Sequence, residues 1–416
     1  MNKLTFLASP VGVGLLSSIP LVFAMLIPPD YYEIHMYEPY LIFESQVVYF
    51  WIFCTLCFLL GAYCASFVFG RADSVKTTSL NDVRSKMFAI RVLMIICIFL
   101  DLFSFFTILA NTGGLFSLIA SGRGQEAKLA LNTDGAFTLA QPLLISVNQY
   151  CLFSYLNYRE YLEKGARKEF AYLLLIAFVT TMFVALAKVA RYEFIPIIIG
   201  VVPVFLAYAG RGEDISWRKL GLYALVTGVI LVLIFSMFAM LRGANDFDDN
   251  IEQLIGYGPA SINHLGGILI GNLRFYYSGT MINAFPFLNQ IPIFESIFKI
   301  GDALNLPTFL DVLQQEFLDT LNSGMNSGFN WITQWGYIYV DLGWLTFPLI
   351  FVIGVFVQLM WQQFLSMRVL GLMMYPQLYV AIFGAATFNG IFKSTFLVAA
   401  VFSLLIRGFE KMYAHR

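Results

Sequence analysis

Four arginines from separate segments of the chain have the side chains best suited to chemistry. They are Arg123, Arg191, Arg242 and Arg274. A guanidinium group is a planar fork that stays charged and binds phosphate through paired hydrogen bonds. If all four lie at one membrane surface, they predict a site for the phosphate of a lipid headgroup or of a lipid-linked intermediate. The alternative for each is an anchor whose long side chain snorkels to the interface. For Arg191, a hairpin with its own salt bridge is a further alternative.

Two other ionisable residues are candidates for chemistry. His264, in "PASINHLGG", is the imidazole placed to act as a base; the alternative is a structural hydrogen bond. Asp101 interrupts the apolar run "ICIFLDLFSFF", and a carboxylate in a membrane segment is a functional candidate by default; the alternative is a hydrogen bond to a neighbouring helix. The chain has no HExxH motif, no Cys/His pairing and no Walker loop, so we expect neither a metal nor a cofactor.

The composition indicates which elements must position these residues. The chain is 59% hydrophobic and only 12% charged, whereas a soluble domain carries about 25% charged residues. Apolar runs of roughly 20 residues predict helices that each cross a membrane. We therefore expect one integral membrane domain over 1–416 that is all-α and polytopic, with about ten spans, or twelve if part of a long loop also crosses. The predicted spans are 9–28, 46–70, 87–110, 138–156, 170–188, 193–209, 220–241, 336–360, 371–388 and 394–407.

Lys and Arg in the short loops predict the orientation. They cluster in 71–86, 157–169 and 210–219 and in the C-terminal tail, which the positive-inside rule assigns to the cytoplasm with both termini. The four arginines then fall on the outer face. That face also carries the longest connection, 242–335, which we expect to cap the helix bundle with short interfacial or re-entrant helices. A net charge of -1 and the lack of a long basic block give no reason to expect nucleic acid.

Four patches resemble the Wzy-type O-antigen polymerases, the oligosaccharide repeat-unit polymerase family of bacterial inner membranes. The first patch leads from the long loop into the next span and contains Asn330, Trp331, Tyr339, Asp341 and Gly343 in the order typical of that family. The others are an arginine after a Gly-Gly-Leu start, a short arginine hairpin and an arginine that opens the long loop. In sequence the patches read "NWITQWGYIYVDLGWL", "GGLFSLIASGRGQEAK", "KVARYEFIP" and "FAMLRG".

The resemblance implies a metal-independent glycosyltransferase of GT-C-like architecture in the bacterial inner membrane, with a periplasmic active face. Its substrates would be undecaprenyl-pyrophosphate-linked oligosaccharides, polymerised into O-antigen or a related surface polysaccharide of the lipopolysaccharide pathway. Membrane lipids, and a chain-length regulator as a protein partner, would belong to the same system.

The resemblance also implies roles for individual residues. The four arginines would bind the pyrophosphate, and Arg191 and Arg242 would act catalytically by stabilising its charge as the anomeric bond breaks. His264 would be the base for the acceptor hydroxyl, with Glu316 and Asp319 as further candidates. Asp341 would support the site by pairing with an arginine. The predicted sugar-binding residues are Asn326, Asn330, Trp331, Trp335 and Tyr337; an interfacial aromatic belt is the alternative for the rings.

Three other functions stay open at the level of sequence. An O-antigen ligase that moves glycan to lipid A core would share the lipid carrier, the membrane face and the arginines. A flippase or other transporter of lipid-linked oligosaccharides would have broken helices in corresponding halves. A structural membrane subunit would need none of the arginines for activity.

Overall fold

The computed structural model describes most of the chain, and this part is helical. The described residues are 3–69, 80–112, 135–188, 191–210, 256–288, 307–329, 331–387, 389–392 and 394–414, with isolated helical residues between 218 and 236. Within these ranges no β-strand occurs. The prediction of an all-α protein is confirmed for them.

The helices are numbered here in chain order. They are α1 Lys3–Ala8, α2 Pro10–Leu16, α3 Ile19–Leu26, α4 Pro29–Met36, α5 Val47–Val68, α6 Leu80–Thr112, α7 Gly135–Tyr158, α8 Lys164–Ala187, α9 Arg191–Ile199, α10 Val202–Ala209, α11 Ser261–Leu269, α12 Phe309–Asn322, α13 Gln334–Leu342, α14 Thr346–Leu365, α15 Val369–Phe383 and α16 Ser394–Ala414.

Four helical stretches in the described ranges are long and apolar enough to cross a membrane. They are Val47–Val68, Val83–Ala110, Lys164–Ala187 and Gln334–Leu365. A fifth span results if Pro10–Leu26 and Pro29–Met36, which meet at a bend of 95°, count as one broken span. At 1.5 Å per residue, 22 residues reach about 33 Å, enough for the hydrocarbon core. The chain thus has the helices of a membrane protein.

The other predicted spans fare differently. Three of them coincide with apolar helices shorter than a full span, Phe194–Ala209, Val369–Phe383 and Val398–Gly408. The run 138–156 forms part of α7, which carries buried amides and is not among the candidate spans. Most of 220–241 lies outside the described residues. Ten spans and the GT-C architecture therefore stay predictions.

The closest helix crossing in the bundle joins α5 and α14. A Cβ added at Gly61 would lie 2.0 Å from the carbonyl oxygen of Phe351, and one at Gly354 would lie 2.2 Å from that of Phe58. Only glycine fits at either position, so each glycine lets its helix touch the backbone of the other helix directly. Packing of α6 against both α7 and α8, and of α15 against α7, extends the bundle.

A polar layer, which we call the cap, packs on the bundle end where α5 and α14 begin. The cap consists of 29–45, 256–288 and 307–329. It contains the short helices α4, α11 and α12. Helix α11 packs on α5 and α13. A capping box starts α12: Thr308 and Asp311 each bind the other's backbone N–H.

Candidate functional site

A buried carboxylate, Glu38, is the centre of the cap. It accepts hydrogen bonds from His264 Nε2 at 2.8 Å, from the Asn326 backbone N–H at 2.7 Å and from Asn263 Nδ2 at 3.0 Å. The phenol of Tyr32 donates a fourth. Glu38 is 4% exposed and His264 is 0% exposed. Three separate segments of the chain therefore meet at one carboxylate.

The local sequence explains why Glu38 points inward. Pro28 and Pro29 open α4, and Tyr37 ends the helix in the left-handed conformation with φ of 54°. The chain reverses there and turns Glu38 into the cap. Asn263 holds the turn, because its Oδ1 accepts from the Leu41 N–H at 2.6 Å while its Nδ2 also donates to the Pro39 carbonyl at 2.8 Å.

The surroundings of Glu38 favour its charged form. Burial raises the pKa of this carboxyl, but the charge of His264 and the hydrogen bonds from His264, Tyr32 and Asn326 outweigh burial, so the pKa is lowered overall. The carboxylate accepts from Nε2, so that nitrogen carries a hydrogen. In neutral His264, Nδ1 then holds the lone pair, and it has no hydrogen-bond partner in the described part of the chain. A carboxylate that fixes the tautomer and orientation of an imidazole base is the arrangement used in general-base catalysis.

Glu316 and Asp319, the other predicted bases, have different environments. Burial, followed by the charge of Asp319, raises the pKa of Glu316 to about 8, against the effect of a hydrogen bond with Tyr337. Glu316 is thus mainly protonated at neutral pH and unsuited to accept a proton. Asp319 accepts from the Tyr276 N–H at 2.7 Å and from Gln315 Nε2 at 2.8 Å, so it holds the cap together. His264 is the best placed of the three predicted bases.

The predicted arginine cluster falls largely outside the described residues. Arg123 and Arg242 lie there entirely, and of Arg191 only the backbone, at the start of α9, is described. Arg274 is exposed, and its Nε donates to the Gly271 carbonyl at 3.3 Å in the turn that follows α11. Convergence of the four guanidinium groups stays a prediction.

The predicted sugar-binding rings are mostly covered by protein. Trp335 is 2% exposed and Tyr337 is 9% exposed, and the Tyr337 ring stacks on Phe275 at 6.3 Å. A sugar would reach either ring face only after these contacts open. Trp331 is partly exposed, and Asn330 lies outside the described residues. Stacking on sugars therefore stays a prediction for all three rings.

Two polar residues predicted to serve the site make hydrogen bonds that hold the cap in place. The Asn326 amide donates to the Met36 carbonyl at 2.9 Å and accepts from the Gly328 N–H at 2.9 Å. Asp341 accepts from the N–H groups of Gly279 and Ala284, at 2.9 and 2.8 Å, and from Asn283 Nδ2 at 2.9 Å. In the described part of the chain, the partners of Asp341 are these donors and no arginine.

Sequence reasoning missed Glu38, Asn263, Gln334 and Asn389. Gln334 Oε1 accepts from the N–H groups of Gly390 and Ile391 at 3.1 and 3.3 Å, in the break between α15 and α16. Asn389 Nδ2 donates to the Asn283 carbonyl at 2.9 Å. Gln334 thus binds backbone N–H groups that the break leaves without helical partners, and Asn389 joins the break to the cap. A signal for Glu38 existed: it lies in a loop rich in acids and tyrosines that lacks Lys and Arg.

The fold and site define an all-α membrane protein with a buried carboxylate–imidazole pair in a polar cap at one end of its helices. No family model matches the chain, and comparisons with curated proteins and solved structures gave no match either.

Proposed function

We propose that the chain is a membrane glycosyltransferase that polymerises undecaprenyl-pyrophosphate-linked oligosaccharide repeat units on the periplasmic face of the bacterial inner membrane. The observation that carries the proposal is the buried Glu38–His264 pair, which lies in a cap on apolar helices. The four sequence patches supply the substrate class.

In this proposal His264 is the base. Glu38 holds Nε2–H, and Nδ1 accepts the proton of the acceptor hydroxyl on the incoming repeat unit as that oxygen attacks the anomeric carbon of the growing chain. The bond from the anomeric carbon to the pyrophosphate oxygen breaks, and its electrons leave with the lipid pyrophosphate. Arg191 and Arg242 stabilise that charge, with Arg123 and Arg274 as further phosphate contacts. Because His264 Nδ1 is buried, the acceptor gains access when covering cap segments move.

The decisive experiment incubates the purified protein with lipid-linked repeat units, with and without lipid A core as an acceptor, and resolves the products on a gel. A ladder of chain lengths supports a polymerase, and a single transfer to lipid A core supports the ligase. His264→Gln should lower the rate by about 10²–10⁴-fold. The matched control is His35→Gln, because His35 lies in the same cap at the end of α4, where its ring contacts Tyr31 at a tilt of 46°. Equal rates for the two variants would remove the base from the proposal.

The arginine part is tested separately. Replacing Arg242 with Gln removes one charge from the predicted pyrophosphate site, and we expect the ladder to disappear at a normal protein level. Arg167→Gln is the control, since Arg167 is an exposed arginine that binds backbone carbonyls of Leu162 and Glu160. An unchanged ladder for Arg242→Gln would refute the catalytic interpretation of this residue.

Two observations favour a second candidate, a transporter of the same lipid-linked oligosaccharides. The first helical stretch bends by 95° between Leu26 and Pro29, and the described residues between α15 and α16, 384–387 and 389–392, are non-helical. Broken helices of this kind line substrate sites in transporters. Reconstituted vesicles with labelled lipid-linked units would separate the candidates, because a transporter changes the leaflet and a polymerase changes the length.

A further inference from the structure

A second buried carboxylate, Asp101, lies within the apolar helix α6 and is 0% exposed. Its Oδ2 is 2.6 Å from Thr181 Oγ1 and 3.3 Å from Thr180 Oγ1, both on α8. Its other oxygen, Oδ1, has no hydrogen-bond partner in the described residues. Half of this carboxylate is therefore unsatisfied inside the helix bundle.

Two amides of α7 meet the same threonine. Asn148 Nδ2 donates to Thr181 Oγ1 at 2.9 Å, and Gln141 Nε2 donates to the Thr181 carbonyl at 3.1 Å. Seven residues separate the two amides, so they lie two turns apart on one helix face. Their oxygens, Asn148 Oδ1 and Gln141 Oε1, likewise have no partner within the described ranges. Three buried side chains from two helices thus contact Thr181 on a third helix, and each keeps one acceptor oxygen without a partner in the described residues.

None of these hydrogen-bonded side chains carries a positive charge, and the cation that acts on Asp101 is Lys188, just beyond the end of α8. A buried acceptor without a donor costs free energy, and a buried carboxylate within a membrane segment costs more. Carboxylate, amide and hydroxyl oxygens are hard ligands that bind hard cations. One carboxylate balances one unit charge, and the described residues contain no group of three His, Cys, Asp or Glu side chains that would hold a multivalent metal.

We propose that Asp101, Gln141, Asn148 and Thr181 bind one sodium ion. The carboxylate supplies the charge, the two amide oxygens and the hydroxyl oxygen supply neutral ligands, and the ion ties α6, α7 and α8 together. The inference rests on these contacts and is independent of the proposed enzymatic activity.

Two titratable neighbours face Asp101. Cys97 lies one turn earlier on α6, and Lys188, the residue that follows α8, lies about two turns beyond Thr181. Lys188 interacts electrostatically with Asp101. Its ammonium group competes with sodium for the same negative charge. Lys188→Gln should therefore increase the affinity for sodium.

The test uses the purified full chain in detergent at constant ionic strength. The melting temperature is measured in sodium, potassium and choline chloride, and ²²Na⁺ binding is measured directly. We expect about one sodium per chain and a rise of about 2 °C for each tenfold increase in sodium above its Kd, with no rise in choline. Asp101→Asn, which keeps the side-chain shape, should abolish both effects. Glu169→Gln is the control, because Glu169 is a half-exposed carboxylate on α8 paired with Arg91.

Equal melting temperatures in the three salts, with no saturable ²²Na⁺ binding, would overturn the proposal. A sodium response that persists in Asp101→Asn would overturn it too. If Asp101→Asn is more stable than the natural chain and neither responds to sodium, Asp101 is protonated rather than ion-bound. Should that variant fail to fold, ²²Na⁺ binding to the natural chain and its competition by potassium decide the question.

Discussion

Replacing Glu38 with Gln is the sharpest perturbation of the cap. The substitution keeps the length and shape of the side chain but removes the charge and turns one oxygen into a donor. Four donors now point at the carboxylate, from Tyr32, Asn263, His264 and Asn326. A single amide oxygen has two lone pairs, and the new NH₂ group faces donors that it cannot satisfy.

The expected loss of stability follows from that count. About two donors lose their acceptor, and each buried unsatisfied donor costs roughly 1–3 kcal/mol. That count predicts that Glu38→Gln lowers the free energy of unfolding by about 4 kcal/mol. Combining it with His264→Gln should reveal a coupling of about 1–3 kcal/mol between the two sites.

The lowered pKa of Glu38 also predicts how the stability of the chain changes with pH. Because the pKa of Glu38 is lower in the folded chain than in the unfolded chain, its stabilisation is present above the unfolded pKa of about 4.5. It is lost as the pH falls through the lowered folded pKa. The natural chain should therefore lose stability in this acidic range, and Glu38→Gln should lose less.

Chemical unfolding in mild detergent, followed by aromatic circular dichroism, measures these differences. The control is Glu33→Gln in the same segment, because Glu33 is exposed and accepts one hydrogen bond, from the Tyr40 N–H at 3.1 Å. Its cost should stay below about 1 kcal/mol. If Glu38→Gln costs no more than this control, the carboxylate does not organise the cap, and the reasoning fails.

Three further predictions concern other parts of the molecule. The pKa of Glu316 is about 8 in the folded chain, so the free energy of unfolding should fall as the pH rises from about 4.5 to that value. Unfolding measured from pH 5 to 9 should show this fall, and Glu316→Gln should remove it. Asp341→Asn should lower the melting temperature, since about 1–3 kcal/mol of charge-assisted hydrogen bonding to three donors is lost. An unchanged melting temperature would show that Asp341 does not hold the cap in place. Gly61→Ala should cost at least about 2 kcal/mol of stability, because its Cβ would lie 2.0 Å from the Phe351 carbonyl oxygen. The control is Gly165→Ala, whose Cβ meets nothing within 4 Å, so this variant should be as stable as the natural chain or more stable. Equal melting temperatures for the two variants would refute the close crossing of α5 and α14.

Sequence patterns predicted the long helices well because burial in lipid demands continuous apolar runs. The runs 46–70 and 170–188 correspond to the spans Val47–Val68 and Lys164–Ala187. The 138–156 run was harder to interpret, because α7 faces other helices and carries Gln141 and Asn148 among its apolar residues. An average over a window detects lipid-facing surface and is weaker for helices that bury polar groups against protein.

The centre of the site could not be read from spacing. Glu38 and His264 are separated by 226 positions, and no local period relates them. His264 stands out in the sequence because the chain has only 3 histidines, whereas Glu38 is one acid among several in its loop. Glu38 differs from Glu33 because it follows the left-handed turn at Tyr37. A tyrosine gives no sequence signal for such a turn. The role of Glu38 depends on its hydrogen-bond partners from distant parts of the chain, which its residue type does not predict.

Glu38 and Asp101 differ in their hydrogen-bond partners, and this difference indicates different roles. Glu38 receives one backbone N–H, one amide, one imidazole and one phenol, so its charge is already balanced by protein donors. Such a group has little to gain from a ligand and is suited to hold His264 in place. Asp101 receives hydroxyl donors on one oxygen alone, and the two amides that donate to Thr181 each keep an acceptor oxygen without a partner in the described residues. Buried polar groups usually have hydrogen-bond partners within the protein, so the unpartnered oxygen of Asp101 favours a bound ligand. The deficit of donors at Asp101, against the full set at Glu38, is why we assign a bound cation to the first carboxylate and an orienting role to the second.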